Sequence, residues 1–190
     1  HYDVGLSKRG QKQFQHWADI LKQETFNAVY SSDLQRTRNS AQFIGQQHGL
    51  EPVSYFELRE LSFGTWEGMS VAEVERTYPG QMKERMESVA TFQADGGETY
   101  SQLQARVIPK FEEIVSRHPN DKIAMVCHGG VNRVILGHLL GIPIDKIFRI
   151  HQDYAALNVI QYYDQEPVVE YIGNAELFSS EKDEIKTAIQ

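Results

Sequence analysis

A histidine followed by two glycines, His128, Gly129 and Gly130, stands where a short apolar run of the sequence ends. The run from Ile123 to Cys127 has the length of a buried strand, and apolar residues at helical spacing begin at Val131. Open parallel sheets bind ligands at the carboxyl ends of their strands, and the N–H groups that start a helix attract anions. The pattern predicts an anion site at His128 and the Gly129 amide. The alternative is a histidine at a helix cap, beside glycines that only allow the turn.

An arginine occupies a similar position after an earlier run. Residues 28–32 are predicted to form a short strand, and Arg36 follows in the first turn of the next predicted helix. A guanidinium there offers a planar pair of N–H donors to a phosphate, and the helix N-terminus adds partial positive charge. Taken alone, an arginine in this position is more often a hydrated residue on a helix surface.

A carboxylate with apolar neighbours is the third candidate. Glu60 lies in a loop segment that also holds Leu61, Phe63 and Trp66. Partial desolvation by such neighbours suits a carboxyl group for general acid catalysis, whereas the alternative is a surface glutamate beside aromatic packing. The glycine-rich segment 96–99 (GGET) is interpreted as structural, because it can deliver a polar cap to the start of a long helix.

Composition limits the classes of function. The chain has 190 residues, 41% of them hydrophobic, which is enough to bury a core, and its net charge is −7. An acidic chain is a poor match for nucleic acid or an anionic membrane, since both bind basic faces. A single cysteine excludes an internal disulfide and suits a cytoplasmic protein, and no apolar run reaches the length of a membrane span.

Helical and extended patterns alternate along the chain and predict an α/β fold. Helices are expected from a cap at Ser7 and over 34–48, closed by Gly49. A short helix is expected from a capping box of Ser70 and Glu73 to near Pro79, and another follows through Glu87. Two more are expected from Leu103 to before Pro119, with a disturbance at Pro109, and over 131–140. Strands are expected over 28–32, 53–56, 122–127, 156–163 and 168–172, with a turn at Asp164 to Pro167 between the last two. We therefore expect one domain over 1–178, with three α/β/α layers around a mostly parallel sheet, and a polar tail over 179–190.

Five short segments occur in an order that is specific when they are taken together. They are D-x-x-L-S-x-x-G at 3–10, the S-S-D-L-x-R block ending in Arg36, the L-x-E-x-x-F-G-x-W-E-G block holding Glu60, G-G-E-T at 96–99, and the H-G-G turn at His128. Over residues 3 to about 160 the chain resembles the histidine phosphatase superfamily, in the branch of cofactor-independent phosphatases and phosphoglycerate mutase-like proteins. The resemblance implies a phosphoglycerate mutase-like α/β/α fold.

One motif of this family is absent from the 190 residues. The Arg-His-Gly triplet, which supplies the nucleophilic histidine and a phosphate-binding arginine, precedes the D-x-x-L-S stretch that here begins at Asp3. The Arg117-His118 pair is followed by Pro119 and lies between a helix and a strand, and His1 lacks a following glycine. We expect the natural polypeptide to extend upstream with the nucleophile and a further strand, and the 190 residues alone to be inactive.

The resemblance implies hydrolysis of a small phosphomonoester. Arg36, Gly129 and protonated His128 would hold the phosphoryl oxygens, the upstream histidine would become phosphohistidine, and Glu60 would protonate the leaving oxygen and later activate water. No cofactor and no metal are implied. The partner is a small phosphorylated metabolite, with α-ribazole phosphate as one candidate, and neither nucleic acid nor membrane; a homodimer stays open. A phosphoryl-transferring mutase and a non-catalytic phosphate-binding protein are the alternatives.

Overall fold

The computed structural model describes residues 1–173, which alternate between helices and strands. The elements are α1 (Lys8–Leu21), β1 (Ala28–Ser32), α2 (Gln35–His48), β2 (Val53–Tyr55), α3 (Val71–Thr77), α4 (Gln81–Glu87), α5 (Tyr100–Ser116), β3 (Ile123–Val126), α6 (Gly129–Leu139), β4 (Asn158–Tyr163) and β5 (Glu166–Ile172). The predicted tail over 179–190 lies outside the described residues. None of the helices within residues 1–173 is long and apolar enough to cross a membrane.

A three-stranded parallel sheet of order β2, β1, β3 carries the site. Tyr30 of β1 is in register with Val53 on one side and with Met125 on the other. Because the three strands run in the same direction, their carboxyl ends meet at one edge, where an open α/β sheet binds ligands. The predicted α/β fold with parallel strands is confirmed.

Helices cover both faces of this sheet. Val29 packs with Phe14 of α1 and Ile44 of α2, whereas its neighbour Tyr30 points to the opposite face and packs with Ile114 of α5. On that second face, apolar residues of α5 and α6 pack together in the largest cluster of the core. The alternation of side chains along each strand thus produces the predicted α/β/α layers.

Local signals in the sequence set several helix ends. Ser7 accepts a hydrogen bond from Gly10 N at 3.1 Å and begins α1, and Ser70 and Glu73 form a capping box at the start of α3. Gly49 ends α2 with a φ of 66°, a conformation that favours glycine. Each of these ends was predicted from the same residues, because a cap depends on neighbours only a few positions away.

Two elements differ from the sequence-based expectation. Helix α5 is continuous through Pro109, because Ile108 and Phe111 beside it are buried in the core and stabilise the helix despite the missing N–H donor. The hairpin of β4 and β5 turns on only two residues, Asp164 and Gln165, both with positive φ. Pro167 therefore lies within β5 rather than in the turn, and the hairpin forms a separate antiparallel sheet.

Candidate active site

Side chains from β1 and from the turn after β3 meet at the carboxyl edge of the sheet. Ser32 ends β1, and its Oγ lies 2.7 Å from Nε2 of His128, which is the N-cap residue of α6. Ser32 is fully buried and His128 is 7% exposed. The sequence places His128 at a strand end beside a helix start, and the structure shows it there.

Two hydroxyl groups fix the orientation of the His128 ring. Thr37 Oγ1 lies 2.6 Å from Ser32 Oγ and 3.0 Å from the carbonyl oxygen of Leu34, and Leu34 N donates to Ser32 Oγ at 3.3 Å. This network joins the start of α2 to the imidazole through Nε2. Within residues 1–173, no protein group forms a hydrogen bond with Nδ1 of His128, so this nitrogen remains available to a ligand.

Arg36 lies in the first turn of α2, beside the same network. Its Nη1 donates to the carbonyl oxygen of Tyr2 at 3.0 Å, and within the described part of the chain no carboxylate forms an ion pair with it. The side chain is partly exposed. Its positive charge is close enough to His128 to lower the pKa of that imidazole. An anion at this edge would meet an arginine charge that no carboxylate in residues 1–173 neutralises.

The environment of His128 favours its uncharged form in the ligand-free protein. Burial, followed by the charges of Arg36 and Arg106, lowers the pKa of His128 to about 3, against an opposing effect of Asp33. The ring is therefore neutral at pH 7 without an anion, and the protonated His128 expected with bound phosphate stays a prediction. The reason for the neutral ring is the buried environment, which disfavours a further positive charge beside two arginines.

Glu60 reaches the glycine turn from a different segment. Its Oε2 accepts from Gly130 N at 3.0 Å, and its Oε1 accepts from Leu61 N at 2.8 Å. A Cβ atom at position 130 would lie well inside van der Waals contact with Oε1, so only glycine lets the carboxylate come this close. The structure thus places Glu60 and His128 at the N-terminus of the same helix.

Gly129 presents its backbone at the start of α6. As the first helical residue, its N–H has no acceptor within the helix, and none in residues 1–173 accepts from it. A Cβ atom there would lie 3.2 Å from Nη1 of Arg133, so the absence of a side chain also gives that guanidinium room. The predicted phosphate-binding amide is therefore free to donate to an anion.

Arg106 on α5 holds the Glu60 loop in place, and sequence reasoning missed it. Its guanidinium donates to the carbonyl oxygens of Glu57, Arg59 and Glu60 at 2.7 to 2.9 Å and pairs with both oxygens of Glu98 at 2.7 and 2.8 Å. The segment 96–99 is structural, as predicted, but through this ion pair as well as through the helix cap. The only sign of this role in the sequence is an arginine on the buried face of a helix. Hydrogen bonds to backbone carbonyl groups leave no pattern in the sequence.

A second ion pair ties the Glu60 segment to β1. Arg59 Nε and Nη2 donate to the two oxygens of Asp33 at 2.6 and 2.8 Å, and these hydrogen bonds hold the pKa of Asp33 below its usual range. Asp33 directly follows Ser32, the partner of His128. The loop with Glu60 is thus fixed at its start to one side of the site and along its length to α5.

His118 lies away from the site, and His1 contacts the carbonyl group of Glu60 and the ring of Phe56. His118 precedes β3, at the opposite edge from His128, and lies 2.7 Å from both Tyr30 Oη and Asp121 Oδ2. His1 Nε2 lies 2.8 Å from the carbonyl oxygen of Glu60. Residues 1–173 bring together no group of three or more His, Cys, Asp or Glu side chains that could hold a metal ion.

Known proteins share both the sequence and the fold. The sequence model of the histidine phosphatase superfamily (branch 1) matches residues 1–175. Phosphoserine phosphatase 1 of Hydrogenobacter thermophilus is 32% identical over 167 residues, which cover 88% of this chain and 79% of the relative. Glucosyl-3-phosphoglycerate phosphatase of Mycolicibacterium vanbaalenii is 31% identical over 152 residues, which cover 76% of this chain and 67% of the relative.

Solved structures agree with this similarity. The mycobacterial glucosyl-3-phosphoglycerate phosphatase in complex with VO3 has a TM-score of 0.80 at 25% identity, with 89% of this chain and 87% of the other covered. The α-ribazole phosphatase of Shigella flexneri has a TM-score of 0.82 at 21% identity, with 92% and 86% covered, and shows the shared fold. The relatives named as phosphatases support phosphatase activity. The chain belongs to the histidine phosphatase superfamily, branch 1, as an enzyme of that family.

Proposed function

We propose that this protein hydrolyses a small phosphomonoester at the carboxyl edge of the sheet, through a phosphohistidine. The observation that carries the proposal is the meeting of two different groups at the start of α6: the carboxylate of Glu60 on Gly130 N, and the imidazole of His128 on Ser32. One is an acid–base group and the other lies beside the unneutralised charge of Arg36. Hydrolysis of a phosphomonoester needs both kinds of group, because the phosphoryl oxygens carry charge and the alkoxide is a poor leaving group.

Arg36, the Gly129 N–H and His128 bind the phosphoryl oxygens. The guanidinium offers a planar fork, and the amide at the start of α6 adds the partial charge of the helix. The low pKa of His128 belongs to the protein without a ligand. A phosphate dianion against Nδ1 offsets the arginine charges that lower this pKa, so the substrate favours proton uptake by the ring.

Glu60 provides the proton for the leaving group. In the first step the bond between phosphorus and the ester oxygen breaks, a histidine nitrogen bonds to phosphorus, and the Glu60 carboxyl group gives its proton to the alkoxide. In the second step a water gives a proton to Glu60 and its oxygen attacks phosphorus. The bond from phosphorus to nitrogen then breaks, and the products are inorganic phosphate and the free histidine.

None of the histidines in the 190 residues is proposed as the nucleophile. The 190 residues contain no Arg-His-Gly triplet. His118 lies before β3, at the edge of the sheet opposite His128. All activity tests therefore use the natural polypeptide, including whatever precedes His1. An acid-labile, alkali-stable phosphoenzyme after brief mixing with substrate supports the phosphohistidine, whereas rapid hydrolysis without any phosphoenzyme contradicts it.

Release of inorganic phosphate from a panel of alkyl phosphates tests the activity. Arg36→Met is expected to lower kcat/KM by at least about tenfold, because a charged hydrogen bond to the phosphoryl group is lost. Arg38→Met is the matched control, since Arg38 is exposed on the same helix and is expected to leave kcat/KM unchanged. A panel without any turnover contradicts hydrolysis, and transfer of the phosphoryl group to a second hydroxyl identifies a mutase.

A further inference from the structure

Two arginines from different helices face one aromatic ring beside the site. The guanidinium carbon of Arg85, on α4, lies 4.9 Å from the ring centre of Phe148, and that of Arg133, on α6, lies 5.8 Å from it. Arg85 is also 5.8 Å from the ring centres of Phe63 and Tyr100. Aromatic faces hold cations in position without neutralising them. The pair is therefore a positioned double positive charge.

Neither guanidinium has an acidic partner within residues 1–173. Arg133 Nε donates to the carbonyl oxygen of Ile150 at 2.9 Å, and the one hydrogen bond of Arg85 among the described residues is a long one, 3.5 Å to Tyr100 Oη. By contrast, the neighbouring Arg106 is fully occupied by a carboxylate and three carbonyl groups. In a chain with a net charge of −7, two fixed and unneutralised arginines are positions for an anion.

The pair lies next to the proposed acid. Nη1 of Arg133 comes within 3.2 Å of the point where a Cβ of Gly129 would stand, and the adjacent Gly130 donates to Glu60. Buried Tyr100, whose ring centre is 5.8 Å from Arg85, has a pKa raised by burial and then by Glu60, against the opposing charges of Arg85 and Arg133. An anion on the pair would therefore extend from the part of the substrate that Glu60 protonates, the leaving group.

We propose that Arg85 and Arg133 bind a carboxylate on the leaving group, so that the substrate is a phosphorylated small carboxylic acid. This inference rests on the proposed function. A planar carboxylate matches the fork of a guanidinium and can accept from both arginines. A second phosphate fits less well, because a dianion would stand beside the Glu60 carboxylate and the negative end of α4, whose last turn holds Arg85.

Binding measurements with matched compounds test the inference without relying on turnover. Calorimetry on the natural polypeptide carrying Glu60→Gln compares 3-phosphoglycerate with glycerol 3-phosphate, and L-phosphoserine with phosphoethanolamine. We expect the member with the carboxylate to bind at least about tenfold more tightly in each pair. Arg85→Met and Arg133→Met should each reduce that ratio by about tenfold, whereas Arg76→Met, an exposed arginine on α3, should preserve it.

The outcomes separate this inference from the proposed function. Equal affinities within both pairs, a ratio that survives both arginine substitutions, or tighter binding of 1,3-propanediol bisphosphate than of 3-phosphoglycerate would overturn the carboxylate site. Failure of the proposed function shows instead as a wild-type protein that releases no phosphate from either member. If Arg85→Met does not fold, Arg85→Lys replaces it, because lysine keeps the charge and the aliphatic chain but lacks the planar pair of N–H donors. A reduced affinity ratio between the matched compounds in Arg85→Lys then supports the inference.

Discussion

Lowering the pH from 7.5 to 4.5 is expected to destabilise the folded protein through His128. Burial, followed by the charges of Arg36 and Arg106, lowers the pKa of His128 to about 3, whereas a histidine in an unfolded chain has a pKa of about 6.5. Between these values the unfolded state binds a proton that the folded state does not. The contribution to stability is therefore complete above pH 6.5 and is lost as the pH falls.

The magnitude follows from the distance between the pH and the unfolded-state pKa. At pH 4.5, which is two pH units below about 6.5, the His128 ring of the folded protein is still neutral. Each of these pH units lowers the free energy of unfolding by about 1.4 kcal/mol. The expected loss from this one group is about 2.7 kcal/mol. That is a large share of the roughly 5 to 15 kcal/mol that stabilises a typical domain.

Urea unfolding at the two pH values measures this loss. Between pH 7.5 and 4.5, His128→Asn should lose about 2.7 kcal/mol less than the wild type, since the other groups titrate alike in both proteins and cancel. His138→Asn is the control for the loss of an imidazole, because His138 is an exposed histidine of the same helix, 3.2 Å from Glu112 Oε1. Parallel pH profiles for wild type and His128→Asn would refute the reasoning.

Two further substitutions test how Glu60 is positioned. Gly130→Ala puts a methyl group into the space of the Glu60 carboxylate and should lower kcat/KM for an alkyl phosphate by about a hundredfold, whereas unchanged kinetics would show that the carboxylate does not need this turn. Arg106→Lys loses the fork that holds Glu98 and the Glu60 carbonyl, and should slow alkyl phosphates by about tenfold or more. Because Arg106 acts through Glu60, the same substitution should add little in a Glu60→Gln background; equal slowing there would mean an independent role.

The sequence predicts those features that depend on close neighbours along the chain. The capping box of Ser70 and Glu73, the end of α2 at Gly49 and the strand-to-helix turn at His128 each depend on a few adjacent residues. Pro109 is the opposite case, because its effect on α5 is decided by packing against residues far away in the sequence. Neighbouring residues therefore determine where these elements begin and end, whereas packing in the core determines whether α5 continues through Pro109.

The site shows the same division. The sequence selects Arg36, Glu60 and His128 by residue type and by position after strands. It does not predict the neutral state of His128, which depends on burial and on two arginines that only the fold brings near. It also does not show the contacts of Arg106 with backbone carbonyls, because every residue has a carbonyl group and no pattern marks the ones that are used.

The burst of leaving group in a single turnover of the Glu60→Gln variant tests the central claim most directly. We expect Glu60→Gln to slow release of an alkyl leaving group by roughly 10² to 10⁴, because the alkoxide needs a proton. p-Nitrophenol release should slow far less, since phenolate leaves without one; the burst isolates this first step from the later attack of water. Equal slowing of both bursts would contradict the account and leave Glu60 a role only in holding the phosphate or the fold.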